Sequence, residues 1–323
     1  MTIRKFLKTV AVASACVLAV SGCAKTGAQL RIGITQFVEH DALDASREGF
    51  IDALAAGGYK DGALTADGKK IVIDYQNAQG DQSNCMTIAQ TLVNNKADLI
   101  LAIATPAAQA MASTTSDIPI LITAVTDPAS ARLVKTNELP GTNVSGTSDL
   151  TPVKAQIELL QRLLPNAKTV GFLYNSSEEN SKFQIEIAKQ ACQELGLAYR
   201  DATVSNSNEI QQVVQSLVGK VDAIYAPTDN LIAAGMPTVS MVASEAKIPI
   251  ICGEEGMVVN GGLATYGINY YELGRKTGEM ALDILKNGKN PAQMPIQYLE
   301  VFDLSVNNEV ADALGITLPA DLS

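Results

Sequence analysis

The 323-residue sequence predicts a two-lobed α/β protein, each lobe a parallel sheet covered by helices, with a cleft between the lobes. Three observations predict it. Strand-like and helix-like segments alternate along the chain. Several of the strand-like runs are apolar throughout, as in strands buried on both faces. The alternation completes one round and then restarts near Thr169. A parallel return needs a crossover long enough to hold a helix, so repeated strand–helix–strand units imply parallel sheets, and two rounds imply two of them.

In the first round, Arg31 to Phe37 is a short strand pattern, followed by a helical period from about Leu43 to Ala56 that Gly57-Gly58 stops. Ile71 to Tyr75 is a second strand, and Asp81 is placed to cap a helix running to about Asn95. Asp98 to Ala104 is an almost unbroken apolar strand. Thr105 is expected as the N-cap of the next helix, with Pro106 at its first position, where the missing N–H costs nothing. Ile118 to Val125 and Asn143 to Thr147 are further strands.

The second round reads the same way. Thr169 to Tyr174 is a strand, Asn180 to Leu195 a helix closed by Gly196, and Ala198 to Val204 a strand. A helix from Glu209 to Val218, a strand from Val221 to Ala226 and one helix from about Asn230 to Ala246 follow. Ile248 to Cys252 and Leu263 to Ile268 are strands, and Tyr270 to Leu285 is a helix ended by Gly288. The turn-rich segment 140–152 reads as the first passage between lobes and 265–269 as a return. On that basis residues 30–146 with about 269–291 form lobe 1, and 147–268 with about 292–323 form lobe 2.

The N-terminal end sets an expectation about compartment. Arg4, Lys5 and Lys8 precede an apolar stretch from Val10 to Val20, which is signal-peptide length and too short to span a bilayer. It ends in Val20-Ser21-Gly22-Cys23, which resembles a bacterial lipobox. Residues 1–22 are thus expected to leave as a lipoprotein signal peptide, with Cys23 carrying the lipid and 23–29 forming a short linker. The alternative is an ordinary signal peptide that happens to contain a cysteine. Two acyl chains matter physically, because one alone gives only marginal membrane binding.

Composition excludes several classes of function. A net charge of −10 argues against a nucleic-acid partner, for which a basic face is needed. His40 is the single histidine, so a multi-histidine metal site or a paired-histidine mechanism is excluded. Cys85, Cys192 and Cys252 remain beyond the leader, without metal-ligand spacing, and read as buried free thiols. Nothing in the sequence calls for a cofactor or a metal, and no nucleophile–base pair marks an enzyme.

In open parallel sheets, ligands bind beyond the carboxyl ends of the strands. That rule selects Gln36 to Asp41, Thr105 to Gln109 and Thr126-Asp127-Pro128 in the first lobe. In the second it selects Asn175 to Ser181, Pro227 to Asn230 and Gly253 to Gly256. Backbone N–H groups at the start of the helix after Thr105 suit a carboxylate, and the small Ala107 and Ala108 allow close approach; a merely well-capped helix is the alternative. Asp229 is placed either to accept a bond from a ligand ammonium or to cap the following helix. The Asn175–Ser181 run is either a ligand loop or a turn and cap. Phe37 and Tyr174 either face a ligand or pack in the core.

The chain is similar from about Leu30 to Pro319 to the ABC-transporter substrate-binding family, in the branch that includes tryptophan-binding lipoproteins. The resemblance rests on Gly33 to Gln36, His40 to Ala45, Ala104 to Ala110, Thr123 to Pro128, Pro140 to Asp149, Leu173 to Ser181, Pro227 to Asn230 and Gly253 to Gly256, in order and behind a lipobox. It implies two Rossmann-like lobes joined by a multi-strand hinge, the type 1 periplasmic-binding-protein fold. It also implies an amino-acid ligand, often aromatic, with a membrane permease and a cytoplasmic ATPase as partners.

Together these readings give a solute-binding lipoprotein of an ABC importer, held on the extracytoplasmic face of the membrane, that captures its ligand by hinge closure. The expected ligand residues are Gln36, Thr105, Ala107, Ala108, Gln109 and Asp127 from the first lobe, with Thr147 and Ser148 near the hinge. Asn175, Ser177, Asn180, Asp229, Asn230 and Glu254 are expected from the second. Runner-up readings are a branched-chain amino acid, nucleoside or small peptide as ligand, or a ligand-sensing protein.

Overall fold

The computed structural model describes residues 28–322, so the expected signal peptide and Cys23 lie outside the described residues. The first sheet has five parallel strands in the order β2-β1-β3-β4-β5. These are β1 (Gln29–Gln36), β2 (Lys70–Asn77), β3 (Leu99–Ile103), β4 (Ile120–Val125) and β5 (Val144–Ser148). Every residue of β3 and β4 is buried, which is why their sequences are unbroken apolar runs rather than alternating ones. Helices α1 (Asp41–Ala56), α2 (Gln82–Asn94) and α3 (Thr105–Thr114) make the crossovers. Asp81 caps α2 as its sequence position predicts, accepting from the N–H groups of Ser83 and Asn84.

The second sheet repeats the plan. Its strands β6 (Thr169–Asn175), β7 (Ala198–Val204), β8 (Ala223–Ala226), β9 (Ile250–Cys252) and β10 (Ala264–Gly267) run parallel in the order β10-β9-β8-β6-β7. A short strand, β11 (Asp303–Val306), adds antiparallel to β10 at the edge, an element the sequence reading did not contain. Helix α4 (Val153–Leu163) is also new to that reading; it buries Val153, Ile157 and Leu160 against the second core. Helix α5 (Glu179–Leu195) ends at Gly196, which takes the left-handed conformation with φ 70°.

Two expectations about helix ends are corrected. The single helix expected from Asn230 to Ala246 is two, α7 (Asn230–Ala234) and α8 (Met236–Glu245), separated at Gly235. Pro237 lacks an N–H and its ring would meet the carbonyl four residues back, so the chain restarts the helix with proline in its first turn. Thr105 is not an N-cap. Ala104 holds that position, α3 begins at Thr105 itself, and Thr105 Oγ1 is buried without a hydrogen-bond partner among the described residues. The cause is the backbone: Ala104 sits at φ 77°, ψ 153°, which tightens the entry to the helix by one residue.

Past α6 (Ile210–Leu217) and α9 (Glu255–Val259) the chain passes back to the first lobe, before it ends beyond α11 (Asn308–Leu314). Helix α10 (Tyr270–Asn287) lies against α1 at backbone contact distance. A Cβ on Gly274 would stand 1.9 Å from the Ser46 carbonyl oxygen, and one on Gly49 2.0 Å from that of Tyr271. Met294 and Ile296 then bury in the first core, although residues from 292 onward were expected in the second lobe. They stay because Gln297 bonds alongside β5, its N–H donating to Gly146 O at 2.9 Å and its carbonyl accepting from Ser148 N–H at 2.8 Å. Likewise β5 stays on the first sheet through Ser148, beyond the expected limit at 146. The thiols of Cys85, Cys192 and Cys252 are free and buried.

Candidate functional site

Strand order reverses between β1 and β3 in one sheet and between β6 and β8 in the other, and the carboxyl ends beside those points face each other. The loops there enclose a narrow cavity. His40 and Leu43 reach it from the end of β1, Ala124 and Thr126 from the end of β4, and Asp149 from just after β5. From the other lobe come Asn180, Thr228, Asp229, Asn230, Ala233 and Glu254, with Tyr270 at the start of α10. The lobes touch across it: His40 Nε2 lies 3.4 Å from Asn230 Oδ1, and Gln184 Nε2 donates to Thr126 Oγ1 at 3.3 Å. At the rim Asn260 Nδ2 donates to Asp41 Oδ2 at 2.9 Å. The cleft is shut.

The cavity is acidic. Asp149, Asp229 and Glu254 line it, and neither lysine nor arginine does. Burial pushes Glu254 up to about 7 and Asp149 up to about 6, with the N–H groups of Gly256 and Met257 opposing the rise at Glu254 and the Tyr270 hydroxyl, then that of Thr126, opposing it at Asp149. Behind the wall Glu178 is pushed up to about 7, first by burial and then by the nearby Asp229. Its Oε2 accepts from Asn180 Nδ2 at 3.1 Å and from Asn230 Nδ2 at 2.5 Å, so one buried carboxyl orients two cavity amides. Burial lowers His40 below its ordinary value and keeps the ring neutral at pH 7.

Three polar atoms on this wall are buried without a protein partner among the described residues: His40 Nδ1, Asp149 Oδ1 and Asn180 Oδ1. Unpaired buried polar atoms are uncommon and each one costs stability, so a cluster of them marks a place where something else bonds. The backbone is strained alongside. Ala124, on the cavity, has φ 53°, and Ala104 at the end of the neighbouring β3 has φ 77°, conformations that side-chain-bearing residues hold only at a cost of about 1–3 kcal/mol each.

Of the residues chosen from the sequence, the cavity gathers Asn180, Asp229, Asn230 and Glu254. Asp229 is also the N-cap of α7. Its Oδ2 accepts from Asn175 N–H and Ser181 Oγ, both at 2.6 Å, and its Oδ1 from Ile232 N–H at 2.9 Å. Asn175 and Ser177 line a separate, wider groove between the lobes, with Phe37 on its opposite wall. Thr105, Ala107 and Ala108 are buried and do not line the cavity. Gln36 is engaged by Asp44, Arg47 and the Val38 carbonyl, and Gln109 donates to Ala131 O at 3.2 Å. Asp127 closes its own loop, accepting from Ser130 N–H and Asn137 Nδ2. Thr147 and Ser148 bond within the hinge, to Thr277 and to the Thr126 carbonyl. The loops selected from strand ends also contain His40, Thr126 and Thr228, which line the cavity though they were not among the expected ligand residues; Asp149, just after β5, and Tyr270, at the start of α10, lay outside those loops and were missed.

Comparison with known proteins agrees with this architecture. The chain is 47% identical over 288 residues to a tyrosine-binding protein of Clostridioides difficile, covering 89% of this chain and 81% of that one. A Streptococcus ABC domain in complex with L-Trp superposes with a TM-score of 0.86 at 42% identity, covering 91% and 97% of the two chains. A ligand-free, open substrate-binding protein with adhesive properties from Clostridium difficile gives 0.67 at 50% identity, covering 90% and 97%. The two lobes have the type 1 periplasmic-binding-protein fold. Residues 31–323 match the family described as ABC transporter substrate binding protein, and the chain belongs to that family.

Proposed function

We propose that this protein is the extracytoplasmic receptor of an ABC importer, that it binds an aromatic amino acid, and that binding holds the two lobes shut. The carrying observation is that one cavity is lined by residues of the first lobe (His40), of a passage between lobes (Asp149) and of the second lobe (Asn180), each with a buried polar atom left without a hydrogen-bond partner among the described residues. A ligand satisfying all three does so only when the lobes are together, so it stabilises the closed form by its differential affinity for that form. Relatives named for tyrosine binding and solved with L-Trp support the ligand class. The shape supports closure. The L-Trp complex lies nearer in shape than the open relative, although the open relative is nearer in sequence.

In this reading Cys23 carries the lipid, and the closed lobes are what the permease recognises before the cytoplasmic ATPase drives transport. The thirteen residues from Val10 to Gly22 ahead of Cys23 carry the processing signal. A thermal-shift screen of the mature protein against the twenty amino acids tests the ligand class. Tyrosine, tryptophan or phenylalanine at about 100 times the dissociation constant should add about 2.7 kcal/mol of stability. Absence of any shift with all three overturns the assignment. Detergent-phase partitioning of the protein from its host membrane, lost in Cys23→Ala, tests the anchor.

A further inference from the structure

Glu178 lies behind the cavity wall, 1% exposed, and its carboxyl is surrounded by donors. Oε1 accepts from Asn175 Nδ2 at 3.2 Å and from Leu231 N–H at 3.3 Å. Oε2 accepts from Asn230 Nδ2 at 2.5 Å, Asn180 Nδ2 at 3.1 Å and Asn230 N–H at 3.3 Å. A carboxylate accepts at both of its end atoms, so it dictates which way each of the three amides turns. The three are not equally free. Asn175 Oδ1 is held by the N–H and the hydroxyl of Ser177, at 3.0 and 2.7 Å, and Asn180 Nδ2 by the Thr228 carbonyl at 3.0 Å. Among the described residues, the Asn230 side chain has only Glu178 as a partner in its own lobe, and its Oδ1 meets His40 Nε2 across the cleft at 3.4 Å. His40 is the N-cap residue of α1, yet its ring makes no capping bond and is left to meet Asn230. With Asn230 Nδ2 spent on Glu178, the atom offered to His40 is an acceptor, and the neutral imidazole answers with a hydrogen on Nε2.

We infer that Glu178 is a positioning residue for closure: through Asn230 it fixes the Nε2–H tautomer of His40, and so sets the polarity of a hydrogen bond that latches the two lobes. The inference goes beyond the ligand reading, since it concerns how the cleft is held and not what fills it. Glu178→Gln should undo it, because the new amide nitrogen must oppose donors at one end. At the Oε1 position it strands Asn175 Nδ2, whose acceptor among the described residues is Glu178 alone. At the Oε2 position it leaves Asn180 its Thr228 carbonyl and lets Asn230 turn over, which costs less. Asn230 then presents Nδ2 to His40. The imidazole can accept it only by moving its hydrogen to Nδ1, which has no partner among the described residues.

Heteronuclear NMR of the ligand-free mature protein tests this. The chain has one histidine and no tryptophan, so an imidazole or indole N–H resonance has a single source. At about pH 8, above the ordinary imidazole value, the ring is neutral. The wild-type protein should then show a slowly exchanging hydrogen on His40 Nε2. That signal should be lost in Asn230→Ala and in Glu178→Gln, with circular dichroism reporting that both variants fold. An Nε2 hydrogen unchanged in shift and exchange rate in folded Glu178→Gln overturns the positioning role. A Glu178→Gln chain that does not fold overturns it too, by making Glu178 a residue of stability alone. A wild-type ring without a slowly exchanging hydrogen overturns the latch. No ligand enters the measurement, so each of these failures leaves the aromatic amino-acid reading standing. Whichever of tyrosine, tryptophan and phenylalanine bind should each be weakened by Glu178→Gln by one common factor, roughly 2- to 10-fold, the worth of a neutral hydrogen bond. Unchanged affinity for all that bind overturns the latch.

Discussion

Tyr270 donates its phenol hydroxyl to Asp149 Oδ2 at 2.8 Å, and this bond ties two of the chain's passages between the lobes to each other. Asp149 follows the last strand of the first sheet, and Tyr270 opens the helix that returns to it. Both residues line the cavity between the lobes. A carboxyl of the cavity wall is therefore part of the crossing between the lobes.

Tyr270→Phe should expose that dependence. Without the hydroxyl, nothing opposes burial at Asp149 as strongly, and its carboxyl rises further above about 6. At about pH 7 a larger fraction is then protonated, so affinity for an ammonium ligand falls and recovers towards about pH 8.5. Calorimetry at the two pH values reads this directly. Stability should fall by about 1–3 kcal/mol in urea denaturation, the usual effect of removing one partner of a buried hydrogen bond.

Asp229→Ala should act mainly on folding. Its two oxygens take three donors from β6, α5 and α7, so the substitution strips a helix cap and strands buried N–H and O–H groups. About 2–3 kcal/mol of unfolding free energy should be lost. If chemical denaturation shows no loss and ligand affinity drops instead, Asp229 is a ligand residue first and a cap second.

The buried acids set the response to pH. Asp149, Glu178 and Glu254 all have folded values raised above their ordinary ones, to about 6, about 7 and about 7. The folded state therefore holds protons that the unfolded chain releases between about pH 4 and 7, and ligand-free stability falls as pH rises through that window. Asp229, also raised by burial, adds in the same direction, while His40, lowered by burial, opposes it near its ordinary value. Ligand binding runs the other way. An ammonium favours the ionised carboxyls, so binding at about pH 6 should release protons, visible as a dependence of binding enthalpy on buffer ionisation. Proton uptake instead would mean that the ligand's anionic pole controls the site.

Gly274→Ala tests the contact between α1 and α10. Alanine improves helix propensity by about 1 kcal/mol, yet its Cβ would stand 1.9 Å from the Ser46 carbonyl oxygen. The net effect should be a loss of at least about 2 kcal/mol, because backbone on both sides must move apart. An unchanged melting temperature would show that the two helices can slide without cost.

Much of the fold was legible because local chemistry and tertiary position agreed. Asp81 and Gly196 mark helix ends by side-chain bonding and by positive φ, which neighbouring sequence alone determines. The apolar runs at β3 and β4 announced parallel, doubly covered strands. The missed features depend on distant partners. Thr105 looks like a cap until the strained Ala104 takes that position. Helix α4 and strand β11 acquire their meaning from a core and an edge built by other segments. The site shows the same split. Strand-end geometry placed Asn180, Asp229, Asn230 and Glu254 at the cavity. The unpaired state of His40, Asp149 and Asn180 is visible only once every other donor and acceptor has been assigned in three dimensions.

The return of α10 to the first lobe has a consequence for how the chain is made. The strands β1 to β5 leave the ribosome early, but the helix whose glycines seat against α1 is encoded after nearly all of the second sheet. Synthesis in order cannot finish the first lobe until the chain is almost complete, while domains otherwise fold as units when they emerge. A chain cut before Tyr270 should therefore leave the face of α1 around Ser46 and Gly49 uncovered.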